Sequence, residues 1–216
     1  MSLTLAAGLG GLGFVVAAIA VNVAFTRARL PMPVSGYDLD AVVDSFATVG
    51  DGLKRPSVFA PVMWLCTTVF AAGLLAQLWR GGTAAGAWAL VGFAGVLMQN
   101  VTFACIEALR FAVAAAARHD RGATAALWDM FVVLFAFNQV FLVVALLGFS
   151  VAGAGDGFIP AWHAWLGYVS AALLFISSSA GPYAVSGGHR FGPVGLVGWL
   201  GWVVWIVVYS VALLRA

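Results

Sequence analysis

Asn100, Glu107 and Arg110 lie within a stretch that otherwise reads as lipid-embedded helix, and Glu107 is the only glutamate in the chain. Ionisable groups in such a stretch are expensive, and they usually face a protein interior or a wet cavity. Asn100 and Glu107 are nearly two helical turns apart, so they project from one face to within roughly 20°. Arg110 follows Glu107 by three residues, which puts its guanidinium within reach of the carboxylate. Two readings fit this spacing. One is a polar cavity in which Glu107 gives or takes a proton while Asn100 and Arg110 hold a substrate. The other is a structural ion pair near a helix end, with Arg110 snorkelling toward the interface.

A second set of polar residues falls in the next apolar stretch. Asp129 lies near its start, and Asn138 and Gln139 follow about two and a half turns later. A short polar connector, Arg118–Thr124, makes the two stretches antiparallel neighbours. Asp129 is then expected near Glu107 or Arg110, and Asn138 and Gln139 near Asn100. Together they form either one polar seam, with Glu107 and Asp129 as catalytic groups, or hydrogen-bonded glue between helices worth roughly 1 kcal/mol. Trp199, Trp202 and Trp205 run along one side of the last apolar stretch. Trp202 is the candidate among them for a wall of a substrate pocket, since a ring face can stabilise a cation. Helix packing is the alternative. His163, between Trp162 and Trp165, reads as an interfacial anchor. Ser177, Ser178 and Ser179 before Gly181 and Pro182 mark either an ordinary helix end or the mouth of a cavity. No Cys/His cluster has metal-ligand spacing, no cofactor motif is present, and neither a Ser-His-Asp order nor a phosphate loop occurs.

The elements that must position these residues follow from composition. The 216 residues are 63% hydrophobic and 8% charged, where a soluble domain carries roughly 25% charge. This predicts an integral membrane protein. The net charge of +2 with no basic stripe argues against nucleic acid as a partner. Six apolar stretches are long enough to cross about 30 Å of hydrocarbon: Leu3–Phe25, Ser57–Trp79, Ala84–Ala108, Ala125–Val151, Ala161–Tyr183 and Pro193–Leu214. The first is too long for a signal-peptide core and is expected to be a retained span. The expected fold is all-α, a polytopic transmembrane helix bundle of about six spans forming one domain over residues 1–216. Cys66 and Cys105 are expected as apolar core thiols inside spans.

The first connector, Thr26–Pro56, holds four of the chain's 8 acidic residues. Within it Leu39, Val42, Val43 and Phe46 follow the i, i+3, i+4, i+7 spacing of one helical face. A short amphipathic helix over Asp38–Thr48 is expected, acting either as a lid on the bundle or as a helix lying on lipid. The odd-numbered connectors and the end of the third span carry 8 of the 10 basic residues, leaving Arg80 and Arg215 on the other side. The positive-inside rule then places those connectors in the cytoplasm and both termini outside the cell membrane.

The C-terminal third carries a run Phe158-Ile159-Pro160-Ala161-Trp162-His163-Ala164-Trp165-Leu166-Gly167, then Gly192-Pro193, Gly198-Trp199 and a Val211-Ala212-Leu213-Leu214-Arg215 ending. This rhythm resembles small actinobacterial multi-pass membrane proteins grouped as a domain of unknown function. The resemblance implies a multi-pass bundle and transfers no catalytic residue. In size, aromatic content and a membrane-embedded acid the chain is also similar to the integral-membrane terpene cyclases. Their asparagine-then-tryptophan-glutamate pattern is matched by Asn100 and Glu107, with a different spacing and with Ile106 in the tryptophan's place.

Three functions are compatible with this sequence. The first is a membrane-embedded enzyme that isomerises or cyclises a lipophilic, isoprenoid-like substrate by proton transfer. The second is a small transporter or channel using the same seam. The third is a non-catalytic structural or accessory subunit. Membrane lipid and a lipophilic small molecule are the expected partners, with no cofactor. A closed seam favours the structural role, a pocket open to lipid favours the enzyme, and a through-going wet path favours transport.

Overall fold

A computed structural model describes residues 2–33, 38–79, 84–183 and 192–216. Among these residues all regular secondary structure is helical: α1 (Leu3–Arg27), α2 (Leu39–Thr48), α3 (Asp51–Ser57), α4 (Ala60–Leu78), α5 (Ala84–Ala116), α6 (Arg121–Gly155), α7 (Ala161–Ser179) and α8 (Gly192–Arg215), with a 3-10 turn at Gly181–Tyr183. Helices satisfy their own backbone hydrogen bonds, which is what a lipid-facing segment requires. The fold is the expected all-α bundle.

Among the described residues, five helical segments are long and apolar enough to cross a membrane: Leu3–Arg27, Asp51–Leu78, Ala84–Ala116, Arg121–Gly155 and Gly192–Arg215. Six were expected. The difference is the stretch Ala161–Tyr183, which forms α7 of 19 residues followed by the 3-10 turn. His163, Ser170, Ser177 and Ser178 dilute its apolar character, and all four are buried. They turn inward because α7 packs between α6 and α8, while lipid-sized side chains such as Trp162, Trp165 and Phe175 point out.

The two central helices outlast their neighbours. α5 has 33 residues and α6 has 35, about 50 Å each, well beyond the expected ends at Ala108 and Val151. They cross closely through small residues. A Cβ on Gly92 would come within 2.7 Å of the Phe149 ring, and one on Gly95 within 2.5 Å of the Ala145 nitrogen. Glycine is what lets these backbones approach. Glu107 of α5 is level with Ser57, just ahead of the start of α4, and Ala136 of α6 is level with Gly181, just past the end of α7. The α5–α6 hairpin beyond those levels therefore overhangs α4 and α7.

The overhang is covered by the amphipathic helix the sequence predicts. α2 begins at Leu39 with Asp38 as its N-cap, whose carboxylate accepts from the Asp40 and Ala41 amides. Val42 and Phe46 are buried and Leu39 and Val43 half-buried. Phe46 packs on Trp128 of α6 at 5.9 Å between ring centroids. Between the two roles open to this helix, the structure shows the lid. The buried apolar side chains accordingly fall into two clusters: a large one uniting α1, α4, α5, α6, α7 and α8, and a smaller one beneath the lid that includes Phe25, Val42, Phe46, Leu53, Ile106 and Phe131.

α1 stops in a Schellman motif. The Leu30 amide donates to the Phe25 carbonyl and the Arg29 amide to the Thr26 carbonyl, with Phe25 and Leu30 buried together. α6 ends the same way, with Phe158 donating to Gly153 and Gly157 to Ala154. The left-handed position is glycine at Gly157 (φ 69°) but arginine at Arg29 (φ 55°).

Candidate functional site

Glu107 is 7% exposed and sits at the junction of α1, α3, α5 and α6, under the lid. Its Oε2 pairs with Arg110 Nη1 at 2.6 Å, the i, i+3 contact that the spacing predicts. Its Oε1 accepts a hydrogen bond from the Ser57 hydroxyl at the end of α3. The guanidinium of Arg110 lies 4.3 Å from the Phe25 ring centroid of α1 and 5.5 Å from that of Phe131 on α6. Both carboxylate oxygens are thus occupied, and the cation is held between two aromatic faces. The cluster ties four helices at the level where α4 begins, near one end of the bundle rather than its middle.

Asn100 belongs to a different interface. Its Nδ2 donates to the Trp64 carbonyl at 3.2 Å and to Thr68 Oγ1 at 3.0 Å, and its Oδ1 accepts from Thr67 Oγ1 at 3.0 Å. All three partners are on α4. Asn100 shares a helical face with Glu107, as the spacing predicts, but its polar capacity is spent on clamping α4 to α5.

The residues of α6 do not complete one seam with these. Phe131, not Asp129, is the α6 side chain that faces Arg110. Asp129 turns outward and lines an open depression with Met130, Val133, Leu134 and Phe137. Asn138 and Gln139 are buried, at 3% and 8% exposure. Gln139 Oε1 lies beside Gly195 of α8 together with Ser177 Oγ of α7. The Oδ1 of Asn138, the Oε1 of Gln139 and the hydroxyl of Ser177 have no hydrogen-bond partner among the described residues. Trp202 is 4% exposed and meets Phe14 of α1 edge to face at 5.2 Å, within the large core. The candidate residues therefore divide among five places: the α4–α5 interface, the junction beneath the lid, the α6–α7–α8 interface, the outer face of α6, and, for Trp202, the contact of α8 with α1.

One polar network was not visible in the sequence. His163, expected at the interface, is completely buried. Its Nε2–H donates to the Trp205 carbonyl at 3.1 Å, since a carbonyl only accepts. The Trp205 indole N–H donates to Ser150 Oγ at 3.0 Å, and the Tyr209 hydroxyl to the Phe149 carbonyl at 2.6 Å. The signal that finds this arrangement is the row His163, Gly167, Ser170, Leu174 and Ser177. It repeats every three or four residues, and every member is buried. Small and polar residues in such a row mark the packed face of a membrane helix. The other half of the signal lies on α8, where Trp205 and Tyr209 are buried rather than facing lipid. Among the described residues no group of three or more His, Cys, Asp or Glu side chains is placed to hold a metal ion. Cys66 is half-buried and Cys105 is exposed, so neither is a core thiol.

Comparison with family models, with curated proteins and with solved structures finds no match to this chain.

Proposed function

We propose that this chain is a non-catalytic, multi-pass subunit of the cell membrane whose polar groups hold the bundle and its lid together. The observation that carries this reading is the state of Glu107. Both of its oxygens are engaged by Ser57 and Arg110, and Arg110 is enclosed by Phe25 and Phe131. A group meant to exchange protons with a substrate needs access to that substrate, whereas a buried ion pair with every partner in place is suited to fixing one arrangement of helices. Asn100 supports the same role, because each of its hydrogen bonds ends on a neighbouring helix. The bias of basic residues toward the lid side agrees with an orientation in which the lid faces the cytoplasm.

The test is Glu107→Gln, which keeps shape and removes the charge. In a structural latch the variant leaves Arg110 buried without a counter-ion and lowers the melting temperature of the detergent-solubilised chain. A membrane-embedded isomerase or cyclase working at Glu107 requires the opposite outcome: an unchanged melting temperature with loss of turnover on a lipophilic substrate.

A further inference from the structure

Four cations meet at one corner of the bundle. Arg27 and Arg29 close α1, Lys54 and Arg55 lie on α3, and all four are exposed. The contact of Ala28 with Gly52 brings the two pairs together; a Cβ on the glycine would stand 3.2 Å from that of the alanine. Nearby acids compensate little. Asp51 reaches Lys54 at 3.9 Å and Arg55 at 3.7 Å, with all three side chains largely in solvent, where such pairs are worth little. Asp44 is next to Ser45, whose hydroxyl donates to the Arg29 carbonyl, but neither Arg27 nor Arg29 has an ion-pair partner among the described residues. The other two acids of the first connector are drawn away, since Asp38 caps α2 and Asp40 pairs with Arg121 on α6. Arg29 also keeps its side chain at a left-handed position where α6 uses glycine. Like charges gathered at one corner repel, and an anion between them relieves the repulsion.

The corner has a direction. It lies where the spans containing α1 and α4 reach the lid end. The backbone stays helical through Val58 and Phe59 from α3 into α4. Lys54 and Arg55 therefore stand three to four residues ahead of Val58 and Phe59 on one side of a nearly continuous helix, with Val62 one turn further on. Val58 is 71% exposed, Phe59 55% and Val62 49%. Cations at the headgroup end thus lead directly into a lipid-facing apolar stripe.

We propose that this corner binds one anionic phospholipid, its phosphate held among Arg27, Arg29, Lys54 and Arg55 and an acyl chain lying along Val58, Phe59 and Val62. Charge complementarity selects the head. Basic clusters at the end of a span attract anionic lipid, and the guanidinium fork matches phosphate oxygens. A zwitterionic lipid brings its own ammonium to the cations, whereas phosphatidylglycerol brings a net negative charge. The inference is independent of the structural role assigned to Glu107, and either can fail without the other.

The experiment uses the full chain reconstituted in bilayers of equal parts phosphatidylglycerol and phosphatidylcholine. Retained lipids are then identified by native mass spectrometry. The expected result is one phosphatidylglycerol retained about tenfold over phosphatidylcholine. Arg27→Gln, Arg29→Gln and Arg55→Gln should each lower that preference by up to about fivefold, the scale of one cation near an anionic surface. Asp51→Asn should raise it. Arg118→Gln, which removes an exposed cation from the turn between α5 and α6, should leave it unchanged. Equal retention of the two lipids by the parent chain overturns the proposal, as does an equal loss in Arg118→Gln and Arg55→Gln or a fall in Asp51→Asn. Displacement of the lipid by inorganic phosphate beyond that caused by chloride at equal ionic strength would assign the corner to a soluble anion and overturn it as well. So would a Val58→Cys disulfide that joins two copies of a chain whose Cys66 and Cys105 are replaced.

Discussion

At the scale of single residues, the buried pair Glu107–Arg110 sets the sharpest expectation. Removing one partner of a buried ion pair costs about 3–5 kcal/mol because the survivor keeps its desolvation penalty. Glu107→Gln and Arg110→Met should each destabilise by that order. The double variant Glu107→Met with Arg110→Met should recover most of the loss, as apolar replacement of a whole pair is often nearly neutral. Chemical denaturation in detergent micelles measures all three. A double variant no more stable than either single one would show that the pair acts through something other than mutual compensation. Asn100→Leu should cost less, about 1 kcal/mol, the usual worth of an interhelical hydrogen-bond group in a membrane. The partnership of Glu107 with Arg110 was legible in the sequence because it is local, set by a three-residue spacing. Ser57, Phe25 and Phe131 were not, because they come from three other helices. The failure of Asp129 to join Arg110 has the same origin. Antiparallel pairing fixes the level of a residue along α6, but not the side of the helix to which it points.

At the scale of elements, α2 was legible and its role was not. Its apolar spacing gives the helix, but only the placement of Trp128 beneath Phe46 shows that it rests on the bundle. Phe46→Ala should cost about 3–5 kcal/mol locally, as for other buried Phe truncations. Hydrogen exchange should rise across Leu39–Thr48 while α5 and α6 stay protected. The lid is also pinned by Asp40, which pairs with Arg121 at the start of α6. The hydrogen bond and charge of Arg121 hold the Asp40 carboxyl below its ordinary value. A carboxyl with a lowered folded-state pKa adds stability above its unfolded value of about 3.9, and that contribution disappears as pH falls through the folded value. Lid exchange in the parent should therefore accelerate only in strongly acid solution. Asp40→Asn should show the faster exchange already at neutral pH, and a variant indistinguishable from the parent at pH 7 would dismiss the pin. At the end of α1, Arg29 holds the left-handed position that α6 gives to Gly157. Arg29→Gly should raise stability by about 1 kcal/mol, since a non-glycine residue there is strained by that order; a lower melting temperature would show that the arginine side chain matters more than its backbone. The sequence count of six included α7, which is not among the five described segments apolar enough to cross a membrane, for a related reason. Apolar run length sees composition, and the polar side chains of α7 are hidden by packing rather than absent.

At the scale of the whole molecule, the basic residues predict an orientation with the lid in the cytoplasm. Ser45→Cys, made in a chain whose Cys66 and Cys105 are replaced, should react with a membrane-impermeant thiol reagent only after cells are opened. Labelling of intact cells would invert the molecule. The overhang of α5 and α6 has a consequence for the bilayer around it. A helix bundle is normally thought of as having one length, but the helices of this one differ: α7 is about 28 Å long, while α5 and α6 run about 50 Å each. The far ends of α5 and α6 meet at a charged turn holding Arg118, Asp120 and Arg121, and they lie against the lid. Charged side chains are expensive in hydrocarbon, so that extra length should stand clear of the acyl chains as a post, holding the lid beyond the bilayer instead of in it.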